Sequence, residues 1–263
     1  MLIADSESDN FKFESTKIWV IAAYDTENGM WYLSFDESVV DLYADDPTYG
    51  LSDLLLNELP DNNFDYDTHH NLLTMMKRHS VCFHNYFQHD KPLIKRFYPE
   101  FQPKEEHDSY ILSQLFNPDR GQHGLAAWGE RFGHPKPKHE EWDKFSPEML
   151  HRVIEDVKIN VKVWEALMEE KKAWEDKGES WDKAIKIEYG VADLQGRQEM
   201  HGVLLDEEKA YSLADEIYME IQKIDSALDK ELPMRVIRGS EVLEPFKKDG
   251  KLKKIVENYY GII

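Results

Sequence analysis

Leu2-Ile3-Ala4-Asp5-Ser6-Glu7 stands at the start of the sequence, and an apolar strand pattern ends there in two carboxylates two residues apart. Side chains at positions i and i+2 of a strand project from the same face of the sheet. Asp5 and Glu7 can therefore reach one metal ion. A carboxylate pair where an apolar strand emerges is costly unless it is hydrogen-bonded or coordinated to cations. An acidic pair at a strand end is otherwise ordinary surface, so this pattern needs support from the rest of the chain.

The next part of the sequence predicts a sheet that alternates with helices. The runs 17–24 and 30–35 are strand-like, and the turn 25–29, with Gly29 at a positive-φ position, joins them into a meander with residues 2–6. Short helices are predicted near 49–58 and 67–78, then a buried strand at 80–84 and a helix at 91–97. The alternation indicates an α/β fold.

From Asp108 the pattern becomes helical. Asp108 can cap a helix over 109–116, a second helix ends at Phe132, and Ser146-Pro147-Glu148 combines a cap with proline at the first helical position. The helix after Ser146 is predicted to run to about Lys172. Residues 133–138 form a proline-broken linker before it.

A domain boundary is predicted near residues 176–179, which divides the chain into 1–175 and 176–263. Beyond it the sequence predicts two long amphipathic helices, at 181–200 and 207–232, with Asp206 as the cap of the second. A helical hairpin with a loose tail seldom makes a domain alone.

Composition limits the classes of function. The 263 residues carry a formal charge of -20, from 32 Lys+Arg against 52 Asp+Glu. This argues against a protein that holds nucleic acid mainly by neutralising many phosphates. Divalent cations bound at one site can still supply local positive charge. The single Cys82 excludes an internal disulfide and is expected to be a buried thiol. With no secretion signal and no apolar run of membrane length, a cytoplasmic protein is expected.

Two further acids follow the first pair. Asp90 comes after the strand-like run 80–84 and just before a helix, where it could equally be that helix's N-cap. Asp156 lies on the long helix after Ser146, beside the apolar positions Val153 and Val157. A lone acid on a helix is usually solvated, so its place near the buried face is notable.

In this order the motifs resemble the DEDD superfamily of 3′→5′ exonucleases, the DnaQ-like branch of the ribonuclease H-like fold. The resemblance tightens toward the exonuclease domains of podovirus-type bacteriophage family A DNA polymerases and covers most of residues 1–172. Residues 3–7, 83–90 and 149–157 look like the first, second and third exonuclease motifs, and the stretches 123–129 and 144–150 are similar to segments of the same phage enzymes.

The resemblance implies a ribonuclease H-like mixed sheet flanked by helices, followed by a helical thumb-like segment. It implies a proofreading 3′→5′ exonuclease that releases nucleoside 5′-monophosphates from DNA 3′ ends, single-stranded or frayed, with two Mg²⁺ or Mn²⁺ ions. The implied metal-binding carboxylates are Asp5, Glu7, Asp90 and Asp156. The implied substrate contacts are Asn85 and the backbone near Ser6 for the terminal nucleotide, with Phe11, Tyr86 or Phe87 stacking on a frayed base.

The sequence departs from the family at the residue that handles the attacking water. Tyrosine-type members carry a Tyr four positions before the last Asp, and Arg152 stands there in this chain. The spacing of histidine-type members, five before the Asp, is met by His151, so the histidine type is favoured. On a regular helix, however, five residues separate side chains by about 140°, whereas four bring them onto one face. Helix geometry alone therefore points Arg152 at the site.

The region from Trp181 resembles the passage from exonuclease to thumb in such polymerases, especially residues 198–206. No palm or fingers sequence follows, so a truncated polymerase or a split-gene product is expected, with the remaining polymerase as partner in the host cytoplasm. Three alternatives stay open. They are a stand-alone DEDD exonuclease on RNA or DNA, a non-catalytic scaffold domain of a polymerase, and an acidic binding module.

Overall fold

A computed structural model of the protein describes residues 1–44, 50–232 and 251. Its centre is a mixed sheet of six strands in the order β4-β3-β2-β1-β5-β6. The strands are β1 (Leu2–Ser8), β2 (Ile18–Asp25), β3 (Trp31–Phe35), β4 (Phe64–Thr68), β5 (Ser80–Phe83) and β6 (Glu105–Asp108). Strands β1, β2 and β3 are antiparallel neighbours, whereas β5 runs parallel to β1. The predicted meander and mixed sheet are confirmed.

Helices cover both faces of the sheet. In the part of the chain up to Gly202 the helices are α1 (Glu37–Ala44), α2 (Leu51–Glu58), α3 (His69–Met76), α4 (Asp90–Phe97), α5 (Ser109–Phe116), α6 (Leu125–Arg131), α7 (Pro147–Glu175) and α8 (Asp182–His201). A further helix, α9 (Glu207–Glu231), follows in the sequence. Ile3 and Cys82 share a core with residues of α1, α2 and α7, while Leu2 and Val81 share a second core with α3 and α4. Alternate side chains of β1 thus point into the two cores on opposite faces of the sheet. Asp5 and Glu7 lie on the same face of β1 as Ile3.

Three predicted helix starts have the expected caps. The hydroxyl of Ser146 accepts a hydrogen bond from the Met149 N–H at 3.2 Å, at the start of α7. The carboxylate of Asp108 accepts one from the Tyr110 N–H at 2.9 Å, and that of Asp206 accepts one from the Lys209 N–H at 3.0 Å. The long helix α7 ends at Glu175, three residues beyond the predicted end.

The sequence reading missed two strands and one helix. Strands β4 and β6 form the two edges of the sheet. The sequence of β4, Phe-Asp-Tyr-Asp-Thr, alternates aromatic and polar residues over only five positions, and that of β6, Glu-Glu-His-Asp, contains no apolar residue. Each is instead recruited by parallel pairing to its inner neighbour, β3 or β5. Helix α1 lies between β3 and α2, where no separate helix is predicted, and it buries only Val39.

By its internal contacts the chain divides into a unit from Met1 to Gly202 and a second from Val203 to Ile263. Helix α8 belongs to the first unit. A Cβ added at Gly196 of α8 would lie 2.2 Å from the carbonyl oxygen of Phe87, so the two backbones are in close contact. No residue of α9 is buried within the described chain. The division after residue 175 stays a prediction. None of the described helices combines the length and apolar character needed to cross a bilayer.

Candidate active site

Three carboxylates meet where β1 leaves the core. Asp5 and Glu7 project from the face of β1 that α7 covers, and Asp156 of α7 faces them. One ligand oxygen from each of the three lies within 4.8 Å of the others. The side chain of Asp156 is only 1% exposed. The arrangement explains why Asp156 lies on the buried, apolar face of α7. That face of the helix packs against the strand that carries the other two acids.

Burial makes this cluster electrostatically unfavourable by itself. Burial, followed by repulsion from Asp156, Asp90 and Glu7, raises the pKa of Asp5 well above its ordinary value. Burial also raises the pKa of Glu7 to about 7, although the nearby Arg152 opposes the rise. Buried carboxylates of like charge need protons or cations to be stable. The cluster therefore attracts positive charge.

The residues fit a hard divalent cation. The Oδ1 atom of Asp156 is buried and has no hydrogen-bond partner among the described residues, which leaves a lone pair available to a ligand. The donor set around it consists of carboxylate oxygens, which Mg²⁺ and Mn²⁺ prefer over imidazole or thiolate.

Asp90 stands beside this trio, outside the 4.8 Å group. It is the first residue of α4, and its Oδ1 accepts a hydrogen bond from the Ser6 hydroxyl at 2.6 Å. Burial raises the pKa of Asp90 to about 7. The N-cap position of α4 is occupied by His89, so the side chain of Asp90 is directed to β1 and does not cap the helix. The electrostatic effect of Asp90 on Asp5 indicates that the fourth predicted carboxylate lies near the cluster.

Arg152, and not His151, faces the carboxylates. The Arg152 Nε donates to Glu7 Oε1 at 3.0 Å, and its Nη1 donates to the Pro137 carbonyl at 2.9 Å. Its guanidinium also lies 5.0 Å from the ring centre of Trp142. Arg152 thus lies on the same side of α7 as Asp156, as the four-residue spacing between them predicts.

His151 is turned away from the site. Its Nδ1 lies 2.8 Å from the Glu58 carboxylate at the end of α2, and its side chain is 47% exposed. The five-residue spacing to Asp156 places the imidazole on another side of α7. Its predicted role as acceptor of the water's proton stays a prediction that this contact does not support.

Lys136 enters the site from the loop that the sequence predicted only as a linker. Its ammonium forms an ion pair with Asp156 Oδ2. The residue is bracketed by Pro135 and Pro137 and lies twenty residues before its partner, so no motif spacing connects the two. The one local signal is a lysine held between two prolines, a rigid presentation of a charge.

The predicted substrate contacts differ in accessibility. Phe11 is 77% exposed, on the loop after β1, and is free to contact a base. Tyr86 is fully buried, stacked on Phe83 at 5.1 Å between ring centres, with its hydroxyl donated to Glu106. Tyr86 therefore belongs to the core and offers no face to a base, which corrects the expectation that it stacks. The neighbouring Phe87 is 4% exposed and likewise packed.

Asn85 lies in a constrained turn between β5 and Asp90. Its φ of 69° is in the left-handed region, which asparagine tolerates better than most residues. Its N–H donates to Asp108 Oδ1 at 3.0 Å, and the N–H of Phe87 donates to Asp108 Oδ2 at 3.2 Å. The N–H of Asp108 in turn donates to the Tyr189 hydroxyl of α8 at 3.1 Å. The turn is thus held from below by one buried carboxylate. The roles of Asn85 and of the Ser6 backbone in holding a nucleotide stay predictions.

Comparison with solved structures identifies the fold. The chain superposes on Brucella melitensis NrnC with a TM-score of 0.51 at 13% identity, over 76% of this chain and 85% of that one. The fold is ribonuclease H-like. A structure of Escherichia coli RNase D, described as an exoribonuclease involved in structured RNA processing, gives 0.48 at 15% identity, and the match spans only 45% of the RNase D chain.

A ribonuclease H-like fold is what the sequence predicted, and at these identities the likeness concerns the fold alone. No protein-family model and no curated protein matches the sequence.

Proposed function

We propose that this chain is a metal-dependent 3′→5′ exonuclease that hydrolyses the terminal phosphodiester bond of a nucleic acid strand and releases nucleoside 5′-monophosphates. The observation that carries the proposal is the trio of the half-buried Asp5 and the buried Glu7 and Asp156, with ligand atoms within 4.8 Å of one another. The unpartnered Oδ1 of Asp156 and the adjacent Asp90 add to it. The ribonuclease H-like fold is consistent with this chemistry.

Asp5, Glu7, Asp90 and Asp156 would hold two Mg²⁺ or Mn²⁺ ions. Such ions, when bound, acidify a water and stabilise the attacking and leaving oxygens of an in-line displacement at phosphorus. The protein's own residues orient the ligands: the Ser6 hydroxyl fixes one oxygen of Asp90 at 2.6 Å, and Arg152 fixes one of Glu7 at 3.0 Å. The burial of Glu7, Asp90 and Asp156 limits the water that competes for their carboxylates, and the half-buried Asp5 stays open to solvent on one side.

We further propose that the substrate is a DNA 3′ end and that the activity is proofreading within a phage family A polymerase, with the rest of that polymerase as partner. The support is the sequence resemblance at 123–129, 144–150 and 198–206. The exposed Phe11 beside β1 suits stacking on an unpaired terminal base.

A stand-alone exonuclease on RNA or DNA is the second candidate, and the packing of α8 favours it. The thumb-like resemblance begins in this helix, yet α8 lies within the same compact unit as the sheet and contacts Phe87 through Gly196. A helix built into the nuclease body needs no polymerase to explain it.

The test is degradation of 5′-labelled single-stranded DNA and of RNA of the same sequence, with Mg²⁺, with Mn²⁺ and with EDTA. The double substitution Asp5→Asn/Glu7→Gln should abolish degradation, and Asp41→Asn, an exposed acid of α1, is the matched control. A ladder that shortens from the 3′ end only with metal and intact carboxylates is expected. Full-length substrate under every metal would refute the nuclease.

Primer–template duplexes with paired or mismatched 3′ ends separate the two candidates. Proofreading predicts faster removal of a mismatched terminus and a preference for DNA. A preference for RNA with equal rates on paired and mismatched ends would favour the stand-alone enzyme.

A further inference from the structure

The loop that carries Lys136 is fixed on both sides of the lysine. Before it, the His134 N–H donates to the Gly129 carbonyl at 2.8 Å, and a Cβ at Gly129 would lie 2.4 Å from the His134 carbonyl oxygen. After it, the Pro137 carbonyl accepts from Arg152 at 2.9 Å. Because prolines flank Lys136, its backbone has little freedom left to lose. The loop is preorganised to present one side chain.

The ammonium of Lys136 contacts one predicted metal-binding carboxylate directly and acts electrostatically on the other three. It forms an ion pair with Asp156, and its positive charge opposes the rise in pKa of Asp5, Glu7, Asp90 and Asp156 alike. The side chain nevertheless remains 22% exposed, whereas that of Asp156 is 1% exposed. Lys136 therefore lies between the buried carboxylate of Asp156 and the solvent.

A divalent cation and this ammonium compete for the same carboxylate. Both are cations, so they repel each other at short range, and an oxygen that accepts from the ammonium offers less electron density to a metal ion. Lys136 can yield because a lysine is a point charge on a flexible stem. Arg152 is less able to move, since it is held by Glu7, by the Pro137 carbonyl and by the face of Trp142.

We propose that Lys136 is a phosphate-binding residue that rests on Asp156 in the free protein and transfers to the terminal phosphate of the substrate when divalent cations take the carboxylate. The inference rests on the proposed nuclease function, which supplies the cations and the phosphate. It assigns to one side chain two successive partners of the same charge: a carboxylate and then a phosphate oxygen.

The exchange predicts effects of opposite sign from one substitution. In Lys136→Gln the ammonium that competes with the metal for Asp156 is lost, so Mn²⁺ should bind the protein about threefold more tightly or better. A nucleoside 5′-monophosphate, the proposed product, should bind the Mn²⁺-loaded protein about tenfold more weakly, because a charge-assisted contact is lost. A residue that only supported the loop would weaken both ligands.

The experiment is isothermal titration of the full chain, first with Mn²⁺ alone and then with thymidine 5′-monophosphate at saturating Mn²⁺. Lys138→Gln is the matched control, because it removes the same charge from an exposed position of the same loop. Lys136→Arg keeps the charge and should restore most of the monophosphate affinity. Thermal unfolding of each variant in EDTA checks that the fold is retained.

Tighter Mn²⁺ and weaker monophosphate in Lys136→Gln, with Lys138→Gln unchanged, supports the inference. Unchanged affinities in Lys136→Gln, weakening of both ligands, or equal shifts in Lys138→Gln would overturn it. The nuclease proposal can fail separately: opposite shifts in a protein that degrades no nucleic acid would leave Lys136 a phosphate-binding residue and remove the exonuclease. A wild-type chain that binds neither ligand would overturn both.

Discussion

The candidate site has two halves that are held in different ways. In the charged half, Glu7 and Asp156 are paired with the cations of Arg152 and Lys136. In the braced half, Asp90 has no such ion pair in the described structure, and one hydrogen bond from a β1 hydroxyl fixes its carboxylate. The first half is positioned by charge and the second by packing.

Helix α8 supplies much of that packing. It contacts the segment 87–91, which includes Asp90, through the close approach of Gly196 to Phe87 and through an ion pair between Asp193 and Lys91 at 2.7 Å. Gln195 of the same helix accepts from Gln88 at 3.0 Å. The difference teaches that removing a charge should disturb the charged half, whereas a larger side chain in α8 should disturb the braced half.

The largest expected effect breaks both halves at once. Asp5 lies between them, so Asp5→Asn should lower the exonuclease rate about a thousandfold, a loss of roughly 4 kcal/mol of transition-state stabilisation. The same change removes a group whose charged form the fold disfavours, through burial and through repulsion by its neighbours, so the melting temperature in EDTA should rise. Initial rates and thermal unfolding measure the two. A variant that lost activity and also stability would indicate a folding role for Asp5.

The next effect sharpens the comparison by acting on the braced half alone. Gly196→Ala places a Cβ 2.2 Å from the Phe87 carbonyl oxygen and should cost about 2 kcal/mol of stability through overpacking. It should lower the exonuclease rate about tenfold by shifting the segment before Asp90. Urea unfolding and rate assays measure the two effects.

Gly190→Ala, in the same helix, is the matched control for that substitution, since a Cβ added at Gly190 would meet no neighbouring heavy atom within 4 Å. It should be neutral or stabilising because alanine favours helices. Equal behaviour of the two variants would remove the bracing role of α8.

Acidity gives a third test. The pKa of Asp90 is raised to about 7 from 3.8, so the folded state binds its proton more tightly than the unfolded state does. The stability contributed by that proton is present at low pH and is lost as the pH rises toward 7. In EDTA, wild type should lose about 3 kcal/mol of unfolding free energy from pH 5 to pH 8 through this group, and Asp90→Asn should lose correspondingly less. Parallel pH profiles for the two proteins would contradict the buried, ionising Asp90.

The smallest expected effect is that of His151→Ala, which is compared with a change of its neighbour Arg152 on α7. His151→Ala should change the exonuclease rate less than about twofold, since an exposed ion pair contributes little. Arg152→Gln should lower it about tenfold by freeing the Glu7 carboxylate. A large loss in His151→Ala would restore it as the proton acceptor.

Sequence reasoning reached what local patterns encode. The period of two in β1 placed Asp5 and Glu7 on one face, and the period of the long helix placed Asp156 beside its buried stripe. The helix period also pointed Arg152 toward the site. The family spacing favoured His151, whose imidazole lies on another side of α7.

What the sequence could not supply depends on contacts between distant segments. Edge strands β4 and β6 are formed by pairing with their inner neighbours; β6 contains no apolar residue, and the alternation in β4 is short and its side chains are mostly exposed. Tyr86 follows a polar turn like an exposed residue, and only the packing of Phe83 beneath it shows that it is core. Lys136 meets Asp156 because a loop folds back over α7, which no spacing within either segment predicts.

The hydrogen bonds of Asp108 have a consequence for the order in which the protein becomes competent during synthesis. Its carboxylate holds the turn at Asn85 and Phe87, and its own N–H is bound to Tyr189. A nascent chain emerges from its N-terminus and folds progressively as more residues leave the ribosome. The first carboxylates appear within the first seven residues, yet the turn before Asp90 gains its last support only when α8 has emerged. Ribosome-bound chains that stop short of α8 are therefore expected to hold an incompletely braced site.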